Sequence, residues 1–198
     1  MIIVSNLQKS FGPKQVLKGV NLKIYDGESL VILGPSGCGK SVLLKNIIGL
    51  MKPDAGQVII DGEDITRFEQ KKLDALRMRM GMLFQSAALF DSLNVEENVA
   101  FGLRRHTSLS NRAIHHIVSE KLEMVGLPGT NYLMPSELSG GMRKRVGLAR
   151  AIAMEPEIIL YDEPTTGLDP IMTSAIDELH LSLKERLGVT SIVVTHDL

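Results

Sequence analysis

Residues 34–41 read Gly-Pro-Ser-Gly-Cys-Gly-Lys-Ser, a spacing that fits G-x-x-x-x-G-K-[ST]. Glycines let a backbone close around an anion and point successive N–H groups inward. Lys40 adds a cation that can reach the β- and γ-phosphates of a nucleotide, and Ser41 adds a hydroxyl that can ligate Mg²⁺. Gly34, Pro35, Ser36, Gly37, Cys38, Gly39, Lys40 and Ser41 are therefore the candidate phosphate cradle. Cys38 lies inside it, so alkylating this thiol is expected to block nucleotide binding, and nucleotide to protect it.

Two further segments carry groups suited to the same chemistry. Ile158-Ile159-Leu160-Tyr161 is an apolar run that ends in Asp162-Glu163. In a parallel sheet such an end lies beside the phosphate loop. Asp162 can then hold Mg²⁺ through water, and Glu163 can polarise an attacking water as general base. Leu138-Ser139-Gly140-Gly141-Met142 begins a helical stretch. Its two glycines do nothing for helix propensity but allow close backbone approach to an anion.

Positioning these groups requires strands and helices in alternation. Ile2 to Val4 is a short apolar run, Val16 to Ile24 alternates as a half-buried strand does, and Asp26-Gly27 marks a turn. Ser29 to Leu33 reads as a strand, Lys40 to Leu50 as a helix, and Gln57 to Asp61 and Gly81 to Phe84 as strands. From about 86 to 154 the pattern is helical. Ser110 can cap a helix that carries Ile114, Ile117, Val118, Leu122 and Val125 and ends at Gly126. A second helix is predicted from Ser139 or Gly140 to about Ala153. Glu157 to Tyr161 and Val189 to Thr195 read as buried strands around a helix from Ile171 to Leu187, closed by Gly188. This order predicts an α/β fold with a mainly parallel sheet covered on both faces.

The 198 residues suit one domain or a core with one inserted subdomain. A net charge of −1 provides no global field for nucleic acid or an anionic membrane surface. Arg143, Lys144, Arg145 and Arg150 read as a solvated helix face, and His106, His115, His116 and His180 as exposed helix or loop positions. One cysteine permits no internal disulfide and fits a reducing compartment. The N-terminus lacks the pattern of a signal peptide, and no run approaches the ~20 apolar residues that span a bilayer.

Taken together the motifs resemble the nucleotide-binding domain of ABC ATPases over essentially the whole chain. That resemblance implies a P-loop NTPase of ABC type: a mainly parallel core, an antiparallel β subdomain and an inserted helical subdomain. The core would span about 1–85 and 155–198, and the helical subdomain about 86–154. Residue by residue, Phe11 resembles the aromatic that stacks on adenine, with Val16 beside it. Gly34 to Ser41 matches the Walker A loop, and Gln85 the glutamine that touches Mg²⁺ and senses a membrane partner. Ser139, Gly140 and Gly141 match the signature motif, Asp162 and Glu163 Walker B and the catalytic glutamate, Gly167-Leu168-Asp169 the D-loop, and His196 the switch histidine. The implied cofactors are ATP and Mg²⁺. The implied catalytic set is Glu163, His196, Lys40 and Gln85, with Ser41, Gln85 and Asp162 at the metal. Two copies would sandwich two ATP molecules, each site pairing one copy's Walker A loop with the other's Ser139 to Gly141.

Two departures narrow the resemblance. Met142 stands where glutamine is usual, and Gln85 leads into 86–101, Ser-Ala-Ala-Leu-Phe-Asp-Ser-Leu-Asn-Val-Glu-Glu-Asn-Val-Ala-Phe. Both are similar to the ATPase of Mla-type (Mce-associated) lipid transporters of bacterial envelopes. This implies a motor that moves phospholipid or a related lipid, integral membrane permease subunits as partners, a lipid-binding Mce-type subunit beyond them, and no nucleic acid. The implied location is cytoplasmic, peripheral on the inner face of the cell membrane. In 86–101 the apolar Leu89, Phe90, Leu93 and Phe101 can line a groove for a permease helix or pack the helical subdomain. Two alternatives are an importer ATPase for another solute, such as an amino acid or metal chelate, and a soluble ABC protein of translation or DNA maintenance. Against the second stand the single ATPase domain and the lack of long heptads between Ser41 and Leu138. The chain ends at His196-Asp197-Leu198, where family domains usually continue, so the C-terminal part of the family domain is expected to be absent.

Overall fold

The computed structural model describes residues 1–196. β1 (Ile2–Phe11) and β2 (Lys14–Ile24) form an antiparallel hairpin. β1 also pairs antiparallel with β4 (Ala55–Ile60), which pairs with β5 (Glu63–Asp64). The second sheet has the order β3 (Ser29–Leu33), β8 (Thr190–Thr195), β7 (Ile158–Asp162), β6 (Met80–Leu83), and all its pairings are parallel. Six helices join these strands: α1 (Lys40–Ile47), α2 (Gln70–Arg77), α3 (Val95–His106), α4 (Asn111–Met124), α5 (Gly140–Ile152) and α6 (Pro170–Leu187).

Alternation along β7 divides the core in two. Ile158 and Leu160 face a cluster built from α1 (Leu43, Leu44, Ile47) and from the antiparallel sheet (Ile2, Val4, Leu17, Val58). Ile159 and Tyr161 face the other cluster, where α3, α4, α5 and α6 supply Val99, Val118, Val146 and Leu183. The parallel sheet is thus apolar on both faces, which is why β7 reads as an unbroken apolar run.

Local chemistry sets the helix ends. Asn94 and Glu97 form a reciprocal capping box at the start of α3. Ser110 accepts from the Ala113 N–H at the start of α4, and Asp169 from the Met172 N–H at the start of α6. α6 ends on Gly188 in the left-handed conformation, as the sequence predicts.

Three expectations need correction here, and one helix was not expected. β1 extends to Phe11 instead of stopping at Val4, because Asn6 takes a positive φ and the register shifts after Val4 break the period-two pattern. α1 stops at Ile47, three residues before Leu50. α2 escapes notice in the sequence because it is short and Leu73 and Leu76 are its only large apolar residues packed on the core. His180 is not exposed: its imidazole packs edge to face on Tyr161, and its Nε2 is buried without a hydrogen-bond partner.

Candidate active site

The loop between β3 and α1 can form only because Gly39 takes φ +107° and lacks a side chain. A Cβ there would lie 2.7 Å from Val16 Cγ1 and 3.2 Å from Leu17 Cδ2, so the loop rests directly on β2. The first turn of α1 therefore opens into a cleft of about 300 Å³ lined by Phe11, Lys14, Val16, Lys40, Ser41 and Glu163. Phe11 is half exposed at the cleft mouth, at the end of β1. Lys14, which the sequence reading did not single out, adds a second cation. Its position in the tight β1–β2 hairpin was the available signal.

Lys40 is buried, and its three N–H donors find three acceptors. Nζ donates to the Gly34 carbonyl at 2.6 Å and the Pro35 carbonyl at 3.0 Å, and lies 3.2 Å from Glu163 Oε1. Ser41 Oγ donates to Asp162 Oδ1 at 2.6 Å. This hydroxyl–carboxylate pair, at the C-terminal end of β7, is a set of hard oxygen donors suited to Mg²⁺. Among the described residues no cluster of three or more His, Cys, Asp or Glu could hold a metal. A Mg²⁺ at this site would add oxygens from phosphate and water to those the protein supplies.

Glu163 is the junction of the site. It follows β7 in a left-handed conformation, φ +50°, and its N–H donates to the Val194 carbonyl at 2.9 Å. Oε2 accepts from Thr166 Oγ1 at 2.7 Å and from His196 Nδ1 at 2.6 Å, with Nδ1 carrying the proton. Burial opposes ionisation of this carboxyl, but Thr166, Lys40 and His196 outweigh it and hold the group below the usual carboxylate range. Thr166 was missed in the sequence, although a hydroxyl three residues after a candidate base was a readable signal. The carboxylate is thus ionised and aimed, with the Lys40 ammonium beside it.

Other expected residues lie outside this cleft. Gln85 is exposed just beyond β6, and Ser139, Gly140 and Gly141 begin α5, where Ser139 Oγ accepts the Met142 N–H. Leu168 and Met172 of the same chain pack over these glycines, and a Cβ on Gly141 would lie 2.1 Å from Met172 Cε. Gly167 and Asp169 flank Leu168 at the start of α6. Cys38 is exposed on the loop. The basic cluster is a solvated face only at Arg143, which is exposed. Lys144 is buried and donates to the Gln85 and Glu163 carbonyls, while Arg150 donates to those of Ala87 and Ala88. Arg143 and Arg145 likewise reach the Leu138 and Val125 carbonyls. Phe90 and Phe101 are half exposed and pack on each other, whereas Leu89 packs against the helical core. No helix among the described residues is long and apolar enough to cross a membrane.

Known proteins resemble this chain in sequence and fold. The chain is 49% identical over 197 residues to the intermembrane phospholipid transport system ATP-binding protein MlaF of Haemophilus influenzae, covering 100% of this chain and 75% of that protein. It is 48% identical to MlaF of Escherichia coli strain K12, covering 94% and 69%. It is also 48% identical to the probable ribonucleotide transport ATP-binding protein mkl of Mycobacterium bovis, where it spans all of this chain but 55% of the relative's length. Among solved structures, the dimeric cassette MJ0796, a bacterial ABC transporter cassette, superposes with a TM-score of 0.92 at 38% identity, covering 100% of this chain and 88% of that one. The dimeric post-hydrolysis state of the same cassette, bound to ADP and Pi, superposes with a TM-score of 0.91. The family model for ABC transporters matches residues 17–166, which take in the phosphate loop, the Ser139–Gly141 motif and the Asp162–Glu163 pair, and the chain belongs to the ABC transporter family.

Proposed function

We propose that this chain is the ATP-binding and ATP-hydrolysing motor unit of a transporter that moves phospholipid or a related lipid between bacterial envelope membranes. The observation that carries the ATPase reading is Glu163, fixed by Lys40, Thr166 and His196 beside the phosphate loop. The residue assignments of the family resemblance are retained. ATP would lie with its base on Phe11 and Val16 and its phosphates along Gly34 to Ser41. Mg²⁺, when bound, neutralises phosphate charge, and Ser41, Asp162 and Gln85 are the residues that would hold it, directly or through water. Lys40 would turn from the loop carbonyls to the β- and γ-phosphates. Glu163 would accept a proton from the water that attacks the γ-phosphorus, as the bond to the β-phosphate oxygen breaks and ADP leaves. His196 would orient that water and the γ-phosphate.

Ser139 and Gly140 are exposed, Gly141 is buried under Met172, and all three lie outside their own chain's cleft, so they would complete the site of a second copy. Support comes from the dimeric cassettes that the chain resembles. A permease would anchor this dimer to the cytoplasmic face of the membrane, with an Mce-type lipid-binding subunit beyond it. The lipid reading rests on the identity to MlaF. The equal identity to mkl supports a second reading in which the cargo is a ribonucleotide.

Glu163→Gln tests the motor. It should lower hydrolysis by ~10²–10⁴-fold and, with ATP, shift the protein to a dimer on gel filtration. An unchanged rate would refute Glu163 as the base. For cargo, the full-length protein should be purified from native membranes and its bound proteins and lipids identified. A permease with phospholipid supports the lipid reading, and a permease with a nucleotide-binding partner supports the other.

A further inference from the structure

The basic side chains of α5 perform a task that the ATPase reading leaves unassigned. One face of α5 lies along residues 81–88. A Cβ on Gly147 would sit 2.9 Å from Leu83 Cδ1 and 3.1 Å from Ala87 Cβ, and a Cβ on Gly81 would sit 2.4 Å from the Ala151 carbonyl oxygen. Only small residues at both positions allow this approach. Along the seam, side chains of α5 grip the backbone that follows β6. Arg150 donates from Nη1 to Ala88 O at 2.7 Å and from Nη2 to Ala87 O at 2.6 Å. Lys144 Nζ donates to Gln85 O, and at 3.2 Å to Glu163 O.

The gripped segment is strained. Ala87 and Ala88 are consecutive non-glycine residues with φ +61° and +46°. Such a pair persists only where its surroundings hold it. The forked guanidinium of Arg150, with one N–H on each of the two carbonyls, is the holding group that the structure provides. Gln85 lies two residues before this pair, so the direction in which its side chain leaves the backbone depends on the grip.

We infer that α5 holds the strained segment 85–88 in place through Arg150 and Lys144, with Arg150 a positioning residue for Gln85. Through Lys144 the same helix also holds the Glu163 carbonyl. The consequence for catalysis rests on the proposed ATPase role of Gln85; the grip itself does not.

The test uses the full-length protein and Arg150→Met, which keeps apolar length but removes both donors, with Arg150→Lys as the milder variant. Amide hydrogen exchange is followed by mass spectrometry in peptides covering 85–91, α1 and β7. In Arg150→Met, exchange over 85–91 should rise ~10-fold or more while α1 and β7 keep their protection. Arg150→Lys, able to reach one carbonyl, should fall between. In steady-state ATPase assays kcat should drop with KM for ATP unchanged, and half-maximal rate should need several-fold more Mg²⁺. Unchanged exchange over 85–91, or faster exchange spread evenly through α1 and β7, would overturn the inference. If the unaltered protein hydrolyses no ATP, the ATPase reading fails, and the exchange result still decides the grip.

Discussion

Glu163 and His180 both carry titratable groups inside the fold, and their surroundings push them to opposite uses. Glu163 is surrounded by donors and stays ionised below the usual carboxylate range, so its charge is available throughout neutral pH. His180 has no such partner at Nε2, and burial against Tyr161 lowers its pKa from 6.5 to about 4. Above pH 6.5 neither the folded nor the unfolded chain protonates this ring. Between 6.5 and about 4 the unfolded chain takes up a proton that the folded chain refuses, so stability is lost as pH falls. The slope can reach about 1.4 kcal/mol per pH unit. His180→Leu should flatten this acid limb without removing a hydrogen bond from Nε2. Urea unfolding at neutral and mildly acidic pH reads the difference, and equal slopes in both proteins would assign the limb to another group. His180 shows what a sequence hides at this scale. It lies on a helix of mixed polarity, and nothing in its neighbours announces that Tyr161 sits beneath it. Lys144 and Arg150 were hidden for the same reason, since their carbonyl partners come from segments about sixty residues away.

Elements were legible where local rules and burial agree. The strand–loop–helix of 29–47 and the apolar run of β7 are fixed by period, glycines and a buried sheet, and the structure has them close to their expected bounds. β1 and α2 were not legible because a bulged strand and a polar helix carry no clean period. The phosphate loop supplies a sharper test than its motif alone suggests, because its glycines do different work. Gly37 has φ +79° with open space around it, whereas Gly39 has φ +107° and touches Val16 and Leu17. Gly37→Ala should therefore cost only backbone strain, ~1–2 kcal/mol. Gly39→Ala adds a clash with β2, so the loop must lift off the hairpin that carries Phe11. It should cost ~2 kcal/mol or more and weaken ATP binding at least ~10-fold, beyond the effect of Gly37→Ala. Titration with a fluorescent ATP analogue and thermal melts measure both, and equal losses in the two variants would show that the seat on Val16 does not matter.

At the scale of the whole molecule the two phosphate-directed features face different ways. The cleft gathers Phe11, Lys40, Ser41 and Glu163 between the two sheets, while Ser139 starts α5 beyond the other face of the parallel sheet. Met172 of α6 covers Gly141 and Leu168 packs beside the exposed Gly140, so the motif is braced within its own chain without meeting its own cleft. On the proposed reading a single copy would hold each half of a composite site without joining them, and a two-fold pair would join both at once. Complementation tests this arrangement. Lys40→Ala disables the phosphate loop and leaves the α5 motif intact; Ser139→Arg does the reverse. Each variant alone should be inactive. In an equal mixture half of the pairs are mixed, and each mixed pair carries one site with both halves intact, so activity should return to about a quarter of the unaltered level. No recovery on mixing, with both variants folded, would place the Ser139–Gly141 motif outside the ATP site and remove the reason for pairing.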